Sequence, residues 1–160
     1  RQSGWGVPAP VRALGGALIA VLGISVVMGI LTTGSGPHAG DAGAARNGLD
    51  SWLLQHFHAW PSYVVLGLVV TLTALAWFAA AGSQGFRRSI TGSLVVTLLQ
   101  IALGLYQANY GLPVLSVGVH MVLAAVLVAF VVTALLTQRE PATAEGVGQS
   151  RLRGTVASSS

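Results

Sequence analysis

SITGSLVVTLLQIALGLYQANYGLPVLSVGVHMVLAAVLVAFVVTALLTQ, residues 89–138, runs for fifty positions without one Asp, Glu, Lys or Arg. A bilayer core of roughly 30 Å is crossed by about 20 helical residues, so this stretch is too long for one span and long enough for two. Asn109, Gly111 and Pro113 interrupt it, and all three are turn formers. The pattern predicts two spans, 90–106 and 114–137, joined by a tight turn. Two other uncharged stretches, 13–40 and 51–86, each have room for one span, placed at 13–33 and 60–81. The expected fold class is an all-α membrane protein, a four-transmembrane-helix antiparallel bundle over residues 13–138.

The composition agrees. Of 160 residues, 53% are hydrophobic and 8% charged, where a soluble domain carries about a quarter charged. Disordered, nucleic-acid-binding and disulfide-rich secreted classes are excluded on that arithmetic. The absence of Cys also removes disulfides, thiolate metal sites and Cys catalysis. Basic charge comes from eight Arg and no Lys. Arg1 and Arg12 precede the first span, Arg87 and Arg88 lie between the second and third, and Arg139, Arg151 and Arg153 follow the fourth. Arg46 alone falls in the other set of loops. Under the positive-inside rule both termini are cytoplasmic, N-in and C-in, with loops 34–59 and 107–113 on the outer face. Trp52, Trp60, Tyr63, Tyr106 and Tyr110 then fall near the outer interface, where amphipathic rings sit.

Residues 1–12 form a cytoplasmic segment, and the tail 139–160, poor in apolar periodicity, reads as disordered. A cleavable signal peptide competes for the first segment, but its apolar run of about 20 residues exceeds the usual h-region. Residue 1 is Arg, and the only methionines, Met28 and Met121, lie inside apolar runs. The expectation is a fragment of a longer chain.

Chemistry is confined to few residues. His38 stands in a Gly-rich loop, His56 and His58 flank the start of the second span, and His120 is about two turns into the fourth. An intramembrane imidazole is either hydrogen-bonded to a neighbouring helix or functional, as a ligand to a metal or haem. Gly118, Ala124 and Ala125 leave room beside His120 for a flat macrocycle. His56 and His58 are two apart and point to roughly opposite faces of a helix, so one of them at most shares a partner with His120. One inward His from each of two helices is the arrangement of a haem held in a bundle. Zinc is disfavoured because it needs three or four ligands. Depth is a further constraint: His120 precedes Gln138 by about 27 Å of helix and His58 precedes Ala81 by about 35 Å. Pro61, favoured in a first turn, raises the possibility that the second helix starts there and leaves His58 outside it.

LTTGSGPHAGD (31–41), RNGLD (46–50) and QHFHA (55–59), followed by QIALGLYQANYGLPVLSVGVHM (100–121), resemble segments of bacterial heme A synthases, those of actinobacteria above all. The likeness covers about residues 11–138. It implies a protein of two similar four-helix halves with a His on the second and fourth helix of each, this chain being the C-terminal half. The family oxidises a methyl group of haem O to a formyl group, giving haem A for terminal cytochrome oxidase in the bacterial plasma membrane. The resemblance assigns His58 and His120 as axial ligands of a haem b, with the extra His56 as the alternative to His58. Phe57 stands where the family usually has Leu. Arg46 is a candidate for a haem propionate, or else a solvated loop charge. Gln100, Tyr106 and Gln107 are candidates to line the pocket, or else make interhelical hydrogen bonds. His38 and Asp41 are expected to organise the Gly-rich turn.

An iron with two axial His has no open position and favours electron transfer. No acid lies within the spans. The chain is therefore expected to hold haem b and pass electrons, with no catalytic residue of its own. Substrate haem O would react in the absent N-terminal half. Expected partners are the lipid bilayer, haem, that half and a haem O synthase, with no nucleic acid. The alternatives are a non-enzymatic bis-His membrane cytochrome or haem-binding module, and a structural four-helix subunit.

The Cys-free background makes orientation measurable. Ala42→Cys is expected to react with an impermeant maleimide added outside intact cells, and Ser150→Cys only after lysis. The reverse labelling pattern would overturn the orientation.

Overall fold

Four helices make up most of the residues that the computed structural model describes, 5–35, 47–79 and 81–139. They are α1 (Ala9–Ser35), α2 (Ser51–Phe78), α3 (Gln84–Asn109) and α4 (Val114–Thr137). Each has 24 to 28 residues, about 36–42 Å at 1.5 Å per residue, enough to cross a bilayer with tilt. All four are apolar enough to do so. The chain is an all-helical, multi-pass membrane protein.

Helix α4 runs over the residues expected for the fourth span, whereas α1 and α3 extend beyond 13–33 and 90–106. The largest correction is to the second, which starts at Ser51 rather than at 60 and ends at Phe78 rather than at 81. Asp50 causes the early start. Its side chain accepts hydrogen bonds from the backbone N–H of Trp52 at 2.8 Å and Leu53 at 3.2 Å, capping two of the donors a helix start leaves free. Pro61 is carried inside the helix and removes one ladder bond. Unwinding there would free several more polar groups with no water to take them, so continuation is the cheaper course. His58 therefore lies on the helix.

Neighbours in the ring are α1–α2, α2–α3, α3–α4 and α4–α1, while α1–α3 and α2–α4 make no direct backbone contact. The helices thus stand around a central axis, with α2 and α4 on one diagonal. Arg12, Arg87, Arg88 and Arg139 share one end, and Asp50 marks the other.

The packed core is off-centre. Leu18, Leu22, Val65, Val69, Leu72, Ala76, Phe86, Ile90, Val96, Leu127, Val131 and Ala134 form one buried cluster. Every one lies at, or to the arginine side of, the midpoint of its helix. In the Asp50-end half the only buried apolar side chain among the described residues is Leu54. The others buried there are Ser25, Ser35, Thr97, Gln107 and Ser116.

Residues 81–83 lie at the arginine end. Gly82 has φ +87°, and a Cβ there would stand 2.6 Å from the Phe86 ring and 3.0 Å from Val7. Gly82→Val is expected to lower unfolding stability by about 2 kcal/mol or more through backbone strain and overpacking. Gly67→Val, at a position with open space around it, should stay within about 1 kcal/mol of the parent. Thermal or detergent-induced unfolding of the purified protein measures both.

Candidate functional site

His58 is set by α2's phase and by α1. With the helix running from Ser51, His58 turns inward, and its Nδ1–H donates to the Ser25 carbonyl of α1 at 2.9 Å. A carbonyl can only accept, so Nδ1 carries the proton and the neutral ring keeps its lone pair on Nε2. Ser62 Oγ donates to the His58 carbonyl at 2.9 Å, and Ser25 Oγ lies 2.9 Å from Ser62 Oγ. Ser62's only proton is used, so Ser25 is the donor in that pair. His58, Ser25 and Ser62 thus close a loop of three hydrogen bonds between two helices.

Gly29 completes the seat. A Cβ at that position would be 3.1 Å from His58 Cε1, so any side chain there presses on the ring. His120 has a similar but looser neighbour in Gly104 of α3, where a Cβ would stand 3.7 Å from its Cε1. Each imidazole therefore rests on a glycine of the helix preceding its own.

The two rings meet across the diagonal. Their centroids are 6.2 Å apart, with planes inclined at 74°. Two imidazoles bound through Nε2 to opposite sides of one metal have centroids about 6.3 Å apart, from about 2.0–2.1 Å per metal–nitrogen bond and about 1.1 Å from each nitrogen to its ring centre. The separation fits a shared ion. Neither Nε2 is engaged in a hydrogen bond.

The donor set restricts which ion could be held there. No group of three or more His, Cys, Asp or Glu able to hold a metal exists among the described residues, so a bare zinc ion would lack ligands. A haem brings four equatorial nitrogens and requires only the two axial ones present here. The scarcity of buried apolar side chains around the pair suits a flat macrocycle.

The α3–α4 side is less settled than the α1–α2 side. His120 Nδ1, Gln100 Oε1 and Gln107 Nε2 are buried without a hydrogen-bond partner. Gln100 and Gln107 lie four residues before and three after Gly104, on the same face of α3. Leaving such groups unpaired costs about 1–3 kcal/mol each, a departure from ordinary satisfaction that marks functional sites.

Other sequence candidates sit elsewhere. His56 is exposed, with Nδ1–H donating to the Trp52 carbonyl at 2.8 Å and its ring 4.2 Å from Trp52. Tyr106 is 45% exposed and stacks on Tyr110 at 4.7 Å. Arg46, His38 and Asp41 lie outside the described residues, as does the 140–160 part of the tail. Sequence reasoning missed Ser25, Ser62, Gly29 and Gly104. Ser62 was findable as the residue four after His58, whereas Gly29 carried no signal among many glycines.

No family model, curated relative or solved structure matches this chain.

A site kept for a ligand at the expense of stability gives a directional expectation for the ligand-free protein. His120→Leu removes a buried unpaired polar atom and should raise unfolding stability by about 1 kcal/mol. His58→Leu breaks an interhelical hydrogen bond and should lower it by a similar amount, about 0.6–1.7 kcal/mol. Parallel thermal melts in detergent read both signs.

Proposed function

We propose that this chain is the haem b-holding half of a heme A synthase-like membrane enzyme, with His58 and His120 as the axial ligands. The observation that carries the reading is the meeting of two imidazoles, from diagonal helices, at the 6.2 Å separation a shared iron requires. When bound, a bis-His haem supplies one-electron transfer rather than substrate activation, since both axial positions are filled.

The residues have separable roles. Ser25 fixes the tautomer and rotation of His58 through its carbonyl, as outer-shell acceptors do for metal-binding His. Gly29 admits the His58 imidazole close to α1. Asp50, the one acid among the described residues, is occupied as a helix cap. No described carboxylate is therefore placed to handle protons at the pair, which supports electron holding here and oxidation of haem O elsewhere in the full enzyme. The reading places the chain in a bacterial plasma membrane, in haem supply to a terminal cytochrome oxidase, with an N-terminal four-helix half and a haem O synthase as partners. Arg46 is assigned to a propionate, and Gln100 to the pocket wall.

The test is spectroscopic. The purified chain loaded with haem should give a low-spin, six-coordinate spectrum and a haem b pyridine haemochrome. His58→Ala and His120→Ala should each abolish the low-spin form, and Gly29→Leu should weaken binding about tenfold or more by displacing His58. An unchanged low-spin spectrum in His120→Ala overturns the ligand assignment. Co-expression with an N-terminal half, assayed for conversion of haem O to haem A, separates the enzyme from a non-enzymatic bis-His cytochrome.

A further inference from the structure

The two imidazoles are not equivalent, and we infer that His120 is the exchangeable member of the pair, giving the site a small-ligand position on its α3–α4 side. This inference rests on the haem reading above. His58 is held by three linked hydrogen bonds to α1 and along α2, and by Gly29 close against its ring. Releasing it from a metal would leave the ring in the same place, still aimed inward.

His120 has none of this. Its Nδ1 is buried and unpartnered, so no acceptor sets its rotation or raises the basicity of Nε2, the two services an outer-shell carbonyl performs. A Cβ at Gly104 would stand 3.7 Å from the His120 ring, against 3.1 Å from the His58 ring for one at Gly29. Rotation of His120 about its side-chain bonds breaks no existing hydrogen bond.

The surroundings supply a second, independent observation. Of the five buried side-chain atoms without partners among the described residues, three are His120 Nδ1, Gln100 Oε1 and Gln107 Nε2. All three belong to the α3–α4 seam in the Asp50-end half. Gln107 is a buried residue at 7% exposure. An acceptor and a donor on one face of α3 offer hydrogen bonds both to a released imidazole and to a small polar ligand replacing it. The α1–α2 seam has no such reserve, because Ser25, Ser62 and Thr32 are all hydrogen-bonded.

Carbon monoxide is the probe. It binds ferrous haem by taking one axial position: the His120 Nε2–iron bond breaks, the carbon–iron bond forms, and the oxidation state does not change. The haem-loaded chain is reduced with dithionite and exposed to carbon monoxide. The expected result is a carbonyl spectrum in the parent that coincides with that of His120→Gly, with His58 as the remaining ligand in both. His120→Gly should retain haem about tenfold better than His58→Gly, following the usual effect of an outer-shell partner on affinity. Free imidazole should restore the six-coordinate spectrum in His120→Gly. Circular dichroism and gel filtration establish that each variant is folded before it is compared.

A parent that refuses carbon monoxide overturns the inference. So does a parent carbonyl matching that of His58→Gly, or better haem retention by His58→Gly. Failure of the unmodified chain to bind haem at all is a different result, and overturns the functional reading instead.

Discussion

The hydrogen bond from His58 Nδ1–H to the Ser25 carbonyl at 2.9 Å sets the geometry on which the site depends. It ties an imidazole of α2 to the backbone of α1, and a backbone carbonyl cannot rotate away as a side chain can. The bond selects the tautomer, leaves Nε2 free, and fixes which face of α2 looks inward. His56, two residues earlier on a helix, is thereby turned to the outside. Interhelical hydrogen bonds in membranes contribute only about 0.6 kcal/mol on average and up to about 1.7. This one therefore specifies orientation more than it stabilises the bundle.

Stability resides in the other half. Apolar burial is concentrated at the arginine end, where Phe86, Val69, Ile90 and Val131 are fully buried. Close approach of α3 is helped by Ser93 and Thr97, buried small residues whose hydroxyls return to the carbonyls of Ser89 and Ser93 and so need no partner from another helix. Trp77 Nε1–H donates to Thr91 Oγ1 at 3.0 Å, fastening α2 to α3 at the same end. The packed base contrasts with the far halves, where the buried side chains are mostly polar.

The spans and their number were legible because a bilayer imposes a length on apolar runs, and four runs of sufficient length are plain in the chain. The candidate pair was legible because intramembrane His is scarce. What escaped was phase and extent. Pro61 argued for a helix start, but Asp50 offered a cap eleven residues earlier and won, since stopping at Pro61 would expose more backbone than the proline removes. Depth then becomes more even than 60–81 allowed. His58 is 20 residues from Phe78 and His120 is 17 from Thr137, a difference of about 4–5 Å of helix. The seats at Gly29 and Gly104 were not legible, because a glycine's role depends on which side chain faces it from another helix.

Charge is distributed as unevenly as packing. Arg12 and Arg139 each stand 4.9 Å from the ring of Trp5, and Arg87 lies 6.0 Å from that of Trp77, so three of the four described arginines at that end are engaged with aromatic faces. That end is about 30 Å of helix from His58, whereas Asp50 is only about 12 Å from it. A haem at the pair would turn its propionates toward the nearer, Asp50 end, because carboxylates are least costly close to water. No described arginine serves that end. Arg46 is the one the sequence puts there, beside Asn47, whose backbone N–H and side-chain amide are held by the carbonyls of Gly34 and Leu31 at 3.1 and 2.9 Å. The anchored asparagine thus ties the start of the 47–50 segment to the end of α1 at the Asp50 end of the bundle.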